Sequence, residues 1–222
     1  MIIKNRKFDG VIFDIDGTLL ESTSIWHDVD VDFFKKRGME LPSDYAMAIG
    51  HLGLDKAADY TINRFNLNEK KEDIINEWKD GVLEYYKHKV KSKPHVKEFL
   101  CFLKENGIPF CAATANDEDC YRSSLERTGI YDLFDFILEV NNFPYGKERP
   151  DIYIHACERL KIKIENTLVF EDLLMPIRTL NKAGFISVGV YDKSCPDIDK
   201  VKLESFVFIN DYNELFSLIR NE

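Results

Sequence analysis

From residue 94 onward, the chain alternates short apolar strands with amphipathic helices, and this alternation restricts the folds open to it. One further apolar strand is predicted near the start of the chain, at 11–13. The later strands are predicted at 108–114, 134–140, 167–170, 186–190 and 206–209, and the helices at 95–106, 117–128, 151–160, 176–183 and 213–219. Strands that alternate with helices form a parallel sheet with helices on both faces. The sequence therefore predicts an α/β fold.

The stretch 21–89 interrupts this pattern, because its apolar residues recur at helical spacing alone. Helices are predicted around 25–33, 45–49, 55–65 and 69–89, and Ser22 or Ser24 is placed to cap the first of them. No strand is predicted in this stretch. We therefore expect a core domain built from 1–20 and 90–222, with an all-helical domain inserted over 21–89.

Polar residues collect next to the predicted strands of the core. Asp14-Ile15-Asp16-Gly17-Thr18 follows the first strand, Thr114-Ala115-Asn116 the second and Glu171-Asp172 a later one. Gly146-Lys147 precedes the helix that opens at Pro150-Asp151. In open parallel sheets, ligands bind beyond the carboxyl ends of the strands. The sequence therefore predicts that these clusters meet in one site.

The side chains of these clusters suit a hard cation next to a phosphate. Carboxylate oxygens are the ligands that Mg²⁺ prefers, while a hydroxyl, loop amides and a lysine hold phosphate. Taken alone, the pair Asp14 and Asp16 also fits a solvated acidic turn at the end of a strand. Burying two carboxylates is costly unless they bind a cation or share hydrogen bonds, and the other clusters favour the cation.

Composition excludes several classes of protein. The formal net charge of −9 argues against nucleic acid as a partner, because phosphate backbones are bound by clustered Lys and Arg. No apolar run reaches membrane-spanning length, and the first residues lack the apolar region of a signal peptide. The five cysteines are scattered without a C-x-x-C pair, which is typical of reduced thiols in a cytoplasmic protein.

The chain resembles the haloacid dehalogenase-like superfamily, in the branch with a helical cap inserted after the first strand. The resemblance covers nearly the whole chain. It is carried by motifs in the family order: Asp14-Ile15-Asp16-Gly17-Thr18-Leu19, Ala113-Thr114-Ala115-Asn116, Gly146-Lys147-Glu148-Arg149-Pro150-Asp151-Ile152-Tyr153 and Phe170-Glu171-Asp172. It implies a Rossmann-like core, a magnesium cofactor and a small-molecule phosphate ester as substrate, in a monomer or weak homodimer.

The resemblance also implies roles for individual residues. Asp14 would be the nucleophile that forms an aspartyl-phosphate, and Asp16 would protonate the leaving alcohol and then activate water. Thr114 and Lys147 would hold the phosphoryl group, with the amides near Ala115 and Asn116. The implied magnesium ligands are Asp14, the backbone carbonyl of Asp16, and Asp172, with Glu171 as a further ligand or a partner of the ligands.

An acid at Asp16 favours phosphate-ester chemistry, since an alcohol leaving group needs a proton and relatives with other leaving groups lack this acid. The chain departs from the family at Glu148-Arg149, where Pro usually follows the lysine. It also departs at Leu173-Leu174-Met175-Pro176, where Ser and Gly are usual. The retained Lys147 predicts that catalysis survives, whereas the second departure makes the role of Glu171 less definite than that of Asp172.

The same branch includes β-phosphoglucomutase, so a phosphosugar mutase is the main alternative to a phosphatase. The mutase carries a His where this chain has Trp26, and an Arg where it has Gly53. His51 or Lys56 could substitute for that Arg, but nothing in the sequence requires such a substitution. A phosphatase is therefore favoured over a mutase. An inactive phosphate-binding or regulatory protein ranks last, because Asp14, Asp16 and Lys147 are all present. Trp78 is predicted to belong to the core of the cap.

Overall fold

The computed structural model describes residues 1–4, 6–49 and 52–220, so Gly50 and His51 lie outside the described residues. Its strands are β1 Ile2–Ile3, β2 Arg6–Lys7, β3 Gly10–Phe13, β4 Phe110–Thr114, β5 Ile137–Glu139, β6 Thr167–Glu171, β7 Ile186–Val190, β8 Val207–Ile209 and β9 Ile219–Arg220. Its α-helices are α1 Ile25–Lys36, α2 Tyr45–Ile49, α3 Leu54–Phe65, α4 Lys71–His88, α5 Val96–Glu105, α6 Glu118–Thr128, α7 Asp151–Leu160, α8 Leu174–Ala183, α9 Ile198–Glu204 and α10 Asn213–Leu218. The chain forms two compact units, one from Met1–Thr23 with Val90–Glu222 and one from Ser24–Lys89.

The first unit is organised around a six-stranded sheet in the order β5-β4-β3-β6-β7-β8. Every neighbouring pair in this sheet is parallel. The strands β3, β4, β6 and β7 are buried along their whole length, as expected for a parallel sheet with helices on both faces. The predicted α/β fold with a parallel sheet core is therefore confirmed.

Aromatic side chains fill much of the core beside the central strand. The Phe13 ring lies 4.7 Å from that of Phe170, between ring centroids, and contacts Phe99, Phe110 and Phe134 in edge-on arrangements. Phe110 and Phe170 lie on the sheet, Phe99 lies on α5 and Phe134 lies in the segment before β5. This packing fixes β3 at the centre of the sheet, and with it the polar residues that follow the strand.

The second unit consists of the helices α1 to α4. Its core includes Phe34, whose ring centroid lies 4.8 Å from those of both Tyr45 and Phe65. Arg37 stacks on the Phe33 ring at 3.6 Å and donates to Glu77 at 2.7 Å, which closes one side of this core. Trp78 is buried at 2% exposure, as its helical pattern predicts, whereas Trp26 is 51% exposed.

The structure adds elements that periodicity did not predict. A small antiparallel sheet joins β1 to β2 and to β9, with Ile2 facing both Lys7 and Arg220. The helix α9 is a further addition, and the predicted strand at 134–140 is shortened to Ile137–Glu139. Among the described residues, no helix combines the length and apolar character that crossing a membrane requires.

Candidate active site

The register of the sheet brings the polar clusters together. β3 lies between β4 and β6, with Phe13 opposite both Ala112 and Phe170. The backbone N–H of Asp14 donates to the carbonyl of Phe170 at 3.0 Å, so the residues beyond both strands are held side by side. Residues that are more than a hundred positions apart in sequence therefore lie at the carboxyl edge of one sheet.

Lys147 reaches this edge from the loop before α7. Its Nζ contacts Asp14 Oδ1 in a buried ion pair and donates to Glu171 Oε1 at 2.8 Å. The hydroxyl of Tyr153 donates to the same Glu171 oxygen at 2.6 Å. Glu171 therefore orients the ammonium of Lys147, in addition to its place among the carboxylates.

Three carboxylates form a compact buried group. One oxygen each from Asp14, Glu171 and Asp172 lies within 4.8 Å of the others. Thr18 Oγ1 donates to Asp172 Oδ1 at 3.3 Å, whereas Asp14 Oδ2 is buried without a hydrogen-bond partner among the described residues. A buried, unpartnered carboxylate oxygen is costly, and a cation placed there would remove the cost.

Burial and mutual repulsion raise the pKa values of these acids. Burial, with the nearby Glu171 charge adding to it and Lys147 opposing it, raises the pKa of Asp14 to about 7. Burial and the Asp14 carboxylate raise the pKa of Asp172 to about 8. Burial acts to lower the pKa of Lys147, but the Asp14 and Glu171 carboxylates outweigh it and hold the pKa above its ordinary value.

This donor set fits a hard divalent cation. Its members are all oxygen donors, which Mg²⁺ and Ca²⁺ take in preference to nitrogen or sulfur. The carboxylates repel one another, and Asp14 Oδ2 has no hydrogen-bond partner among the described residues. A bound cation would reduce the repulsion and would also coordinate this oxygen. Asp14, Asp172 and Glu171 are therefore the side chains that could hold such an ion.

A second group of polar side chains surrounds Asp16. Ser22 Oγ donates to Asp16 Oδ1 at 2.6 Å, and Asn116 Nδ2 donates to Asp16 Oδ2 at 3.2 Å. The backbone N–H of Asn116 donates to the Thr114 hydroxyl at 3.0 Å. Ala115 is exposed between the two. These contacts bring Asp16 together with the cluster that follows β4.

Gly17 allows the chain to turn against Asp172. Its φ is +82°, and a Cβ at this position would lie 2.3 Å from Asp172 Oδ2. An L side chain is disfavoured at this φ and has no room beside the carboxylate. The turn between Asp16 and Thr18 therefore depends on glycine for two separate reasons.

The substitution Gly17→Ala is expected to lower the free energy of unfolding by roughly 1–3 kcal/mol more than Gly184→Ala does. Gly184 is a matched control, because its φ is +86° but no atom lies within 4 Å of its Cβ position. Chemical denaturation of both variants would give the difference. Equal losses would show that the contact with Asp172 carries no cost.

The sequence analysis gives no site role to two supporting side chains. Tyr153 ends the third motif and lies on the buried face of α7, where it looks like any core aromatic, while Ser22 is predicted only as a possible helix cap. The one available signal for Tyr153 is general, since a buried tyrosine hydroxyl nearly always needs a partner. α8 begins directly after Leu173, with Pro176 in its first turn, so the unusual Leu-Leu-Met-Pro segment opens this helix.

Comparison with known proteins assigns the chain to a family. The model of the haloacid dehalogenase-like hydrolase family matches residues 8–184, which include every candidate site residue named above. The chain therefore belongs to the haloacid dehalogenase-like hydrolases. This confirms the resemblance drawn from the sequence motifs and the prediction that the chain is an enzyme.

Individual relatives are similar over most of their length. A Caldanaerobacter subterraneus protein provisionally named pyrophosphatase PpaX is 26% identical over 96% of this chain and 96% of its own. The phosphorylated carbohydrates phosphatase of Thermotoga maritima is 25% identical over 79% of this chain and 82% of its own. A Thermotoga maritima crystal structure, provisionally named β-phosphoglucomutase, superposes with a TM-score of 0.83 at 20% identity over 96% of this chain and 100% of its own.

Proposed function

We propose that the chain is a magnesium-dependent phosphatase that hydrolyses small phosphomonoesters, such as sugar phosphates, through an aspartyl-phosphate on Asp14. The observation that carries the proposal is the setting of Asp14, which is buried and paired with Lys147 while Oδ2 has no partner among the described residues. A carboxylate that is buried away from water and held next to a lysine and a possible cation position is arranged to act as a nucleophile toward phosphorus.

In the first step, an Asp14 carboxylate oxygen attacks phosphorus and the bond from phosphorus to the ester oxygen breaks. Asp16 gives its proton to the departing alkoxide, which leaves as the alcohol. In the second step, the Asp16 carboxylate takes a proton from water, and the resulting hydroxide attacks the aspartyl-phosphate. Asp14 is restored, inorganic phosphate is released, and Asp16 is protonated again.

The remaining residues hold the group that is transferred. Lys147 would balance the charge of the phosphoryl oxygens, and the Thr114 hydroxyl with the amides of Ala115 and Asn116 would bind them. Ser22 and Asn116 orient the two Asp16 oxygens for proton transfer. Asp14, Asp172 and the Asp16 carbonyl, with Glu171 as a further ligand or a partner of the ligands, would hold Mg²⁺, whose positive charge would lower the repulsion between the nucleophile and phosphate.

The names of the relatives support this substrate class. One curated relative is named for phosphorylated carbohydrates and another, provisionally, for pyrophosphate. Both names describe small phosphorylated molecules. An acid at Asp16 agrees with them, because a sugar alkoxide is a poor leaving group until it is protonated.

The test is phosphate release from a panel of phosphomonoesters and pyrophosphate, with Mg²⁺ and with a chelator. Mg²⁺-dependent release of phosphate from any member supports the proposal and identifies the preferred substrate. Conversion of β-glucose 1-phosphate to glucose 6-phosphate without net release would instead make the chain a mutase. Release that is unchanged by the chelator would overturn the role given to the cation.

The effect of Mg²⁺ on stability is expected to grow with pH. Without the cation, the raised pKa values of Asp14 and Asp172, about 7 and about 8, disfavour folding once these groups must ionise. The protonated forms of Asp14 and Asp172 favour the folded chain. This contribution to the free energy of unfolding is fully present below the unfolded pKa of about 4 and is lost as pH rises through the pKa values of the folded chain. Mg²⁺ binds the ionised form, so it should raise the melting temperature more at about pH 8 than at about pH 6. In Asp172→Asn, the increase in melting temperature on adding Mg²⁺ should be much smaller at either pH.

A further inference from the structure

The helical unit contains a cavity of about 510 Å³, which is within the size range of small-molecule pockets. Its walls come from all four helices and from Leu52 and Gly53, which precede α3. Most of the lining is apolar: Ala46, Ile49, Leu52, Leu54 and Ala57. The polar and aromatic lining residues are Trp26, His27, Asp30 and Trp78.

Asp30 is the unusual member of this lining. It lies on α1 and is only 6% exposed, yet it has no hydrogen bond or ion pair among the described residues. Burial raises the pKa of Asp30 to about 6, with the charge of the nearby His27 opposing the rise. A buried carboxylate without a partner is costly to the fold, and such groups are retained where a ligand supplies the partner.

Trp78 is a second buried polar group that lacks a partner. Its Nε1 is buried and has no hydrogen-bond acceptor among the described residues, although buried indole N–H groups usually have one. Trp78 comes from α4, whereas Asp30 comes from α1, and both line the same cavity. Asp30 and the indole of Trp78, from different helices, therefore line one largely apolar space.

We propose that this cavity binds a small organic ammonium ion, with its apolar carbons against the aliphatic lining and its N–H groups donating to Asp30. An ammonium ion satisfies the carboxylate by charge and by hydrogen bonding together, which a neutral hydroxyl does only in part. The aromatic faces of Trp26 and Trp78 attract cations as well. A carboxylate ligand would be repelled by Asp30 and is excluded by the same reasoning.

The tryptophans of the chain can serve as a fluorescence reporter of ligand binding in this cavity. Its sequence contains two tryptophans, Trp26 and Trp78, and both line the cavity. Intrinsic tryptophan fluorescence of the whole chain therefore reports occupancy without a label. Because binding is measured directly, the result does not depend on whether the chain hydrolyses phosphate esters.

The experiment compares three probes that share a phenylethyl-sized apolar body: phenethylammonium, 2-phenylethanol and phenylacetate. Phenethylammonium is expected to bind about tenfold or more tightly than the alcohol, and phenylacetate more weakly than either. In Asp30→Asn, the affinity for phenethylammonium should fall to about that of the alcohol, while the affinity for the alcohol stays the same.

Asp32→Asn is the matched control, since Asp32 is an exposed carboxylate on the same helix and does not line the cavity. It should bind the ammonium ion as the parent chain does. Asp30→Asn is expected to fold, because the change removes an unpaired buried charge, and its melting temperature would verify this. Equal affinity for the three probes, no fluorescence response, or equal ammonium binding by Asp30→Asn and its parent would each overturn the proposal.

Discussion

Asp14→Asn is expected to reduce turnover of the best phosphomonoester by about 10³-fold or more, because an amide oxygen is too weak a nucleophile to form the phosphoryl intermediate. The variant should remain folded. Lys147 keeps its 2.8 Å hydrogen bond to Glu171, so the change leaves no unpaired buried ammonium. Steady-state phosphate release, together with the melting temperature, would separate loss of chemistry from loss of structure.

Asp119→Asn is the control for this substitution, since it makes the same change at an exposed position on α6. It should retain parental activity. If Asp14→Asn kept a tenth or more of the parental rate while folded, the nucleophile would have to be another group. Trapping of phosphate on the parental protein, but not on Asp14→Asn, would give independent support.

Lys147→Met is expected to lose both activity and stability. The ammonium of Lys147 lies between two buried carboxylates, Asp14 and Glu171, and methionine leaves both without a cation. Removing one partner of a buried ion pair costs about 3–5 kcal/mol. Chemical denaturation without Mg²⁺ at about pH 8 would measure this loss.

The stability lost in Lys147→Met should depend on pH in a definite direction. Lys147 opposes the rise in the pKa of Asp14, so its removal moves that pKa further above about 7. The carboxylate is then neutral at low pH, where the missing cation matters little, and charged at high pH, where it matters most. The difference in unfolding free energy between variant and parent should therefore shrink as pH falls from about 8 to about 5. A constant difference would mean that the loss comes from packing.

Lys87→Met is a control for the removal of a lysine charge. Lys87 is exposed at 61% and lies 3.9 Å from Glu84, an arrangement that contributes little to stability. We expect it to leave activity unchanged and to change the unfolding free energy only slightly at either pH. The contrast with Lys147→Met isolates the effect of the buried charge.

Local patterns in the sequence were sufficient to predict the main strands and helices of the fold. Alternation of apolar strands with helices depends on residues within a few positions of one another, so β3, β4, β6 and β7 could be predicted closely. The short strands β1, β2 and β9 could not, because two-residue segments have no periodicity. They form only because the backbone at Ile2 pairs with that at Lys7 on one side and with that at Arg220 on the other.

The sequence by itself determined which residues would gather at the candidate site, since Asp14 and Asp172 directly follow parallel strands, Thr114 ends another, and such strand ends share one edge. Only the tertiary structure decided the pKa values of these side chains and their hydrogen-bond and ion-pair partners. The motifs place Lys147 near the carboxylates, but only the folded chain sets its ammonium between Asp14 and Glu171 and brings the Tyr153 hydroxyl onto Glu171. The same holds for Asp30, whose lack of a hydrogen-bond partner among the described residues depends on how the helices of its unit pack. Burial and charge proximity are properties of the folded chain, and they set the pKa values and the unpartnered oxygen on which the chemistry depends.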